Sequence, residues 1–165
     1  MTTPEQKQPI YNRVALIGLG LIASSMAHAM RAGGLAGEIV GHAKSEETRK
    51  VALEIGICDR VCATAAEAVQ GADLVVLAVP VGAMAAIAEE IGPHLAQGAT
   101  VTDVGSVKQA VIAAVAPFIP EGVHFIPGHP MAGTEYSGPR SGFATLFQNR
   151  WWLLTPMPDS DPQAG

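Results

Sequence analysis

Cysteine and charge are both scarce in this chain, and each scarcity removes a class of function. Only Cys58 and Cys62 occur among the 165 residues. Their spacing, with no histidine close by, fits neither a metal site nor the disulfide framework of a small secreted domain. Both read as small buried residues, and no metal is expected. Charged residues make up 15% of the chain, and ten Lys and Arg against fifteen Asp and Glu leave a formal net charge of -5. Nucleic-acid binding wants a clustered basic surface, and none is visible. Met1 to Tyr11 is polar and broken by Pro4 and Pro9, without the apolar run of a signal peptide, and no later stretch is long and apolar enough to span a bilayer. The expectation is a cytoplasmic protein with neither a membrane nor a nucleic-acid partner. What the chain does have is apolar content, 48% of its residues, enough for one domain with a sizeable core.

That apolar content is arranged as short runs alternating with longer amphipathic stretches. Residues 13–17, 38–42, 61–63, 73–79, 100–104 and 123–126 read as strands. The run from Asp73 to Val79 is almost unbroken, as expected of a central parallel strand covered on both faces. Helices are expected over 21–31, 45–55, 64–69, 82–91 and 106–115, with an apolar stripe at Val51 and Ile55 in the second. Thr64, with Glu67 three residues on, makes a capping pair at the start of the third. Trp151 to Leu154 adds one more strand. Such alternation implies a Rossmann-type α/β fold, a doubly wound and mostly parallel sheet with helices on both faces. On this reading 1–12 is an N-terminal tail, 13–155 a single dinucleotide-binding domain and 156–165 a linker or frayed end.

Gly18-Leu19-Gly20-Leu21-Ile22-Ala23 lies between the first strand and the first helix, the context a dinucleotide fingerprint requires. Gly18 permits the tight turn, Gly20 lets a pyrophosphate approach the backbone, and Ala23 is small enough for the helix to sit close on the sheet. The helix N-terminus beyond offers unpaired N–H groups and a favourable dipole to the phosphates. An NAD site carries Asp or Glu at the end of the second strand, about 20 residues on, to hold the ribose. Here the segment is His42-Ala43-Lys44-Ser45. Ala43 stands where the acid is expected, while Lys44 and Ser45 offer a cation and a hydroxyl to a 2′-phosphate. NADP is therefore favoured, with NAD retained, because Glu46 and Glu47 oppose a phosphate. His42 is placed near the adenine, and Val79, Pro80 and Gly105, at later strand ends, are also assigned to the cofactor.

Ser106 and His129 carry the chemistry. Asp103-Val104-Gly105-Ser106-Val107-Lys108 falls where a parallel strand gives way to a helix, at the edge of the sheet where ligands bind in this architecture. Ser106 also suits the N-cap of that helix. His129, between Gly128 and Pro130, is expected on a constrained, exposed loop. A histidine titrates near neutrality, so it can accept a hydroxyl proton as hydride leaves the same carbon. The remaining histidines, His28, His42, His94 and His124, read as structural.

Together with Ala78-Val79-Pro80 and the glycine fingerprint, the Asp103 to Lys108 motif and Gly128-His129-Pro130-Met131-Ala132-Gly133-Thr134-Glu135 resemble the prephenate/arogenate dehydrogenase family of tyrosine biosynthesis over about residues 13 to 155. The resemblance implies NAD(P)-dependent oxidative decarboxylation of prephenate to 4-hydroxyphenylpyruvate, of arogenate to tyrosine, or of both. It implies that His129 binds the ring hydroxyl and takes its proton, and that Ser106 hydrogen-bonds that hydroxyl and helps to place the nicotinamide. Gly133, Thr134 and Glu135 fall on the substrate side, Glu135 at the entrance. The family further carries a helical C-terminal domain that dimerises and supplies cations to the substrate carboxylates. That domain is absent from these 165 residues, where only Arg140 and Arg150 follow Lys108, so a homodimer is expected of a full-length member and poor turnover of this chain alone. Two alternatives stay open: a cofactor-binding module without its own activity, and a β-hydroxyacid or imine-type dehydrogenase domain.

Overall fold

A computed structural model describes residues 8–165. Six strands run parallel in the order β3-β2-β1-β4-β5-β6, formed by Tyr11–Ile17 (β1), Ala36–His42 (β2), Arg60–Cys62 (β3), Leu74–Leu77 (β4), Thr100–Asp103 (β5) and His124–Ile126 (β6). This is the strand order of a doubly wound dinucleotide fold, in which ligands sit where the winding reverses. Here the reversal lies between β1 and β4, whose register runs from Val14 opposite Leu74 to Ile17 opposite Leu77. The helices between the strands are Leu21–Gly33 (α1), Glu46–Glu54 (α2), Ala65–Val69 (α3), Val81–Ile91 (α4) and Lys108–Val115 (α5).

Each face of the sheet has its own apolar layer, because alternate side chains of a strand point to opposite sides. Val14, Leu16, Ile39 and Val76 meet Ala23, Met26 and Ala27 of α1 on one side. Ala15, Ile17, Val75 and Leu77 meet Met84, Ala88 and Ile91 of α4 and Val111 of α5 on the other. Cys58 and Cys62 are buried, and burial pushes the Cys58 thiol up to about 12, so it is an inert neutral side chain at neutral pH.

Several boundaries differ from the sequence expectation for identifiable reasons. The expected tail of 1–12 falls partly outside the described residues, and its last two residues, Tyr11 and Asn12, already belong to β1. Asp73, Ala78 and Val79 lie outside the central strand. The Asp73 carboxylate instead accepts from the backbone N–H groups of Asn12 and Arg13, at 2.8 and 2.7 Å. Ser45 caps α2, accepting from the Thr48 N–H, and Thr64 caps α3, accepting from the Glu67 N–H. Ser106 is not a cap: α5 starts at Lys108 behind Val107, with no side-chain capping bond, because the Asp103 carboxylate captures the Gly105 N–H and holds the intervening residues as a loop.

His129 is not on a loop. Gly128–Pro130 (β7) and Trp152–Leu154 (β8) form a separate antiparallel ribbon in which His129 pairs with Leu153. The expected strand near Trp151 therefore exists but leaves the main sheet. Residues 156–165 form no strand or helix, only turns closed by Ser160 N–H to the Met157 carbonyl and Ala164 N–H to the Asp161 carbonyl. Among the described residues, no helix is long and apolar enough to cross a membrane.

Candidate functional site

The carboxyl end of β1 makes the first half of the site. Gly18 sits at φ 94°, and a Cβ there would run into the Ala78 carbonyl, so only glycine fits. Its N–H donates to the His42 carbonyl at 2.8 Å, while the Ala78 N–H donates to the Ile17 carbonyl at 2.7 Å. These two bonds tie the ends of β2, β1 and β4 together. Gly20 is different: a Cβ there would meet nothing within 4 Å, and the residue faces open space as the N-cap of α1 without a side-chain capping bond. The first turn of α1 holds no acidic side chain. Its unpaired N–H groups and positive dipole end are thus free for an anion.

Beside this helix end lies a cleft of about 570 Å³, lined among others by Gly18, Leu19, Gly20, His42, Ala43 and Lys44, with Val79 and Pro80 on the opposite wall. Eight of the residues expected to hold the cofactor therefore share one cavity. Leu21, Ile22, Ser45 and Gly105 do not line it; Leu21 and Ile22 instead open the helix above it. The His42 Nδ1 lies 3.0 Å from the Cys62 carbonyl. Since a carbonyl can only accept, the Nδ1 carries the proton and Nε2 is left as the acceptor in a neutral ring.

Sequence reasoning missed two supports of this cleft. Arg49, one turn into α2, donates to the Ala43 and Lys44 carbonyls at 2.6 and 3.1 Å and so shapes the ribose end. Gly138 and Pro139 close the far wall. They are held by two fully buried serines of α1: the Ser24 hydroxyl donates to the Pro139 carbonyl at 2.6 Å, and the Phe143 N–H donates to Ser25 Oγ at 3.1 Å. A serine pair inside an apolar helix is the signal that was available.

The second half gathers at the carboxyl end of β5. Ser106 is exposed and His129 half-buried, and their segments meet on Asp103. This carboxylate is fully buried. It accepts from the Gly105 N–H at 2.8 Å and the Gly128 N–H at 3.1 Å, and it is paired with the Lys108 ammonium. Removing one member of such a pair would leave the buried carboxylate without its countercharge, which is strongly unfavourable. Asp103 and Lys108 bound the motif noted from sequence but were given no role there, although an acid at the end of a strand five residues before a lysine is a visible cue.

Gly133, Thr134 and Glu135 continue past His129 into an exposed turn, where Thr134 Oγ1 accepts from the Tyr136 N–H. Glu135 lines a shallow surface hollow with Tyr136 and Arg140. Arg140 is paired with Glu54 at 3.3 Å, and Arg150 is exposed. Among the described residues, no group of three His, Cys, Asp or Glu side chains is placed to hold a metal.

Comparison with known proteins shows which family the chain and its fold resemble. The family model described as the prephenate dehydrogenase nucleotide-binding domain matches residues 26–164. A cyclohexadienyl dehydrogenase of Zymomonas mobilis is 40% identical over 155 residues, covering 94% of this chain and 53% of that protein. The structure of the A. aeolicus prephenate dehydrogenase in complex with hydroxyphenyl propionate and NAD+ is similar with a TM-score of 0.84 at 30% identity, over 93% of this chain and 53% of the other. The Synechocystis arogenate dehydrogenase gives 0.83 at 32% identity, over 92% and 52%. The chain thus spans about half the length of these relatives.

The two fingerprint glycines should separate by substitution. Gly18→Ala forces a side chain into a positive-φ position against a carbonyl and should cost about 1–3 kcal/mol of stability or more, seen as a lowered thermal midpoint. Gly20→Ala should leave the midpoint unchanged and weaken dinucleotide binding about tenfold, because its methyl occupies only the ligand's space. Calorimetric titration and thermal unfolding of both variants check this; a destabilised Gly20→Ala with normal affinity would contradict it.

Proposed function

Because this chain belongs to the prephenate dehydrogenase family as its nucleotide-binding domain, we propose that it serves the NAD(P)-dependent oxidative decarboxylation of prephenate to 4-hydroxyphenylpyruvate, of arogenate to tyrosine, or of both. The observation that carries this reading is the convergence of the Ser106 and His129 segments on one buried carboxylate at the carboxyl edge of the sheet that also holds the nucleotide cleft.

The cleft fits a dinucleotide. An uncapped helix end and a glycine with open space before it suit the pyrophosphate, and Ala43, Lys44 and Ser45 surround the ribose position. Ser45 spends its acceptor on the α2 cap but keeps its hydroxyl proton, and Lys44 supplies charge, which favours NADP over NAD. When bound, the nicotinamide supplies the hydride acceptor. The protein's share is to orient and to move one proton. Ser106 hydrogen-bonds the ring hydroxyl of the substrate, and His129 takes its proton as hydride leaves the same ring carbon. Electrons then drain from the opposite ring position, carbon dioxide departs and the ring becomes aromatic. Gly133, Thr134 and Glu135 border the substrate side.

A substrate with two carboxylates needs convergent cations, yet Arg140 is already paired with Glu54. Next to His129 the ribbon and the residues flanking it expose Trp151 at 80%, Leu153 at 50% and Met131 at 49%. An apolar face of this kind at the mouth of a site suits cover by a further element. The helical dimerising domain implied by the resemblance fits that role, and a homodimer formed through it is part of the same proposal.

Two measurements test the reading. Lys44→Ala should weaken NADP binding about tenfold with little change for NAD, because only NADP presents a 2′-phosphate for charge-assisted bonding; equal losses for both cofactors would refute the assignment. With the chain joined after Pro156 to the C-terminal part of the Zymomonas mobilis relative, prephenate or arogenate should yield reduced dinucleotide, and His129→Ala should lower kcat about 100-fold or more at unchanged cofactor affinity. Near-normal turnover by His129→Ala would remove the histidine from the mechanism.

A further inference from the structure

We propose that Asp103, charge-paired with Lys108, is the positioning residue of this site, its two carboxylate oxygens setting where the Ser106 and His129 segments stand relative to each other. The proposal deepens the functional reading above and rests on it for what those two residues do; the geometry stands apart from that reading.

Asp103 ends β5, a strand paired on both sides and therefore fixed in the sheet. One oxygen, Oδ2, accepts from the Gly105 N–H at 2.8 Å, and the other, Oδ1, accepts from the Gly128 N–H at 3.1 Å. Each donor is the residue immediately before one of the two reacting residues. Lys108 completes the junction by contacting Oδ2 and donating to the Gly128 carbonyl at 2.5 Å. The peptide groups on both sides of Gly128 are thus held, and His129 enters its strand from a fixed point.

Gly128 is needed for this approach, and Gly105 leaves little room for a side chain. A Cβ at Gly105 would come within 3.0 Å of Val111 Cγ2 and 3.1 Å of Asp103 Oδ2. At Gly128 it would lie 2.9 Å from the Asp103 carbonyl oxygen and 3.0 Å from Trp152 Nε1. A carboxylate is also the side chain the junction requires, since it only accepts and offers two oxygens to three donors. An asparagine would turn its amide N–H₂ toward one of them.

A fold staple would look similar, and the molecule contains one for comparison. The Asp73 carboxylate also accepts two backbone N–H groups, those of Asn12 and Arg13, but at the amino end of the sheet. The test sets D103N combined with Lys108→Met, which removes both charges while keeping side-chain bulk, against Asp73→Asn in the same chain saturated with NADP⁺. Both variants should be less stable. Only the double variant should shift and broaden the amide resonances of Ser106 and His129 and the His129 ring signals, with resonances of Leu21 and Ile22 and the NADP⁺ dissociation constant unchanged within about twofold. With each chain joined after Pro156 to the C-terminal part of the Zymomonas mobilis relative, the double variant's rate of reduced-dinucleotide formation from prephenate should fall about 100-fold relative to wild type, the scale expected when a reacting group is misplaced, while Asp73→Asn keeps the wild-type rate. Unmoved Ser106 and His129 signals in the double variant, or the same shifts in Asp73→Asn, would overturn the proposal. A wild-type chain that forms no reduced dinucleotide even when joined to the relative's C-terminal part would count against the functional reading, and the resonances would still decide the role of Asp103.

Discussion

The divergence of β1 and β4 at their carboxyl ends is the constraint on which the rest depends. Up to Ile17 and Leu77 the two strands are paired; beyond, one chain turns into α1 on one face and the other into α4 on the opposite face. The gap between the two connections is the cleft. It stays open at a fixed width because Gly18 fits against the Ala78 carbonyl and bonds the His42 carbonyl, which no side chain at that position would permit. The helix dipole, the open Gly20 and the Ala43-Lys44 rim are all placed by that junction.

Burial of polar groups shows how the second half of the site is attached to the first. Among the described residues, the fully buried polar side chains are Ser24, Ser25 and Asp103, and each is hydrogen-bonded to the segment from Gly128 to Phe143. Burying such groups is unfavourable unless their partners are in place, so the sheet accepts that segment in one arrangement. The segment carries His129 near its start and walls the nucleotide cleft with Gly138 and Pro139 further on. One stretch of chain thus carries His129 and also borders the nucleotide cleft.

Most of the Rossmann frame was legible because its signals are local. The run expected over Asp73 to Val79 forms a strand over its central four residues, Leu74 to Leu77, and the glycines after Ile17 and the Thr64 cap follow from neighbouring residues as expected. What could not be read depends on distant partners. Ser106 looked like a helix cap because serine precedes an apolar stretch, but Asp103 competes for the local backbone and delays the helix to Lys108. His129 looked like a loop residue between glycine and proline, because its strand partner, Leu153, lies 24 residues away. Within the site, the fingerprint and the segments carrying Ser106 and His129 were visible as motifs, whereas Arg49, Ser24 and Ser25 act through backbone groups that no motif names, and the reach of Asp103 from its own motif to Gly128 depends on the fold.

One dinucleotide is expected to span both halves, with its pyrophosphate at α1 and its nicotinamide between the Ser106 and His129 segments. A crystal structure of this chain with NADP⁺ tests it most directly. Pyrophosphate oxygens should lie on the backbone N–H groups of Leu21 and Ile22, and the nicotinamide ring between Ser106 and His129. A pyrophosphate away from that helix end, or a nicotinamide turned out of reach of both residues, would contradict it.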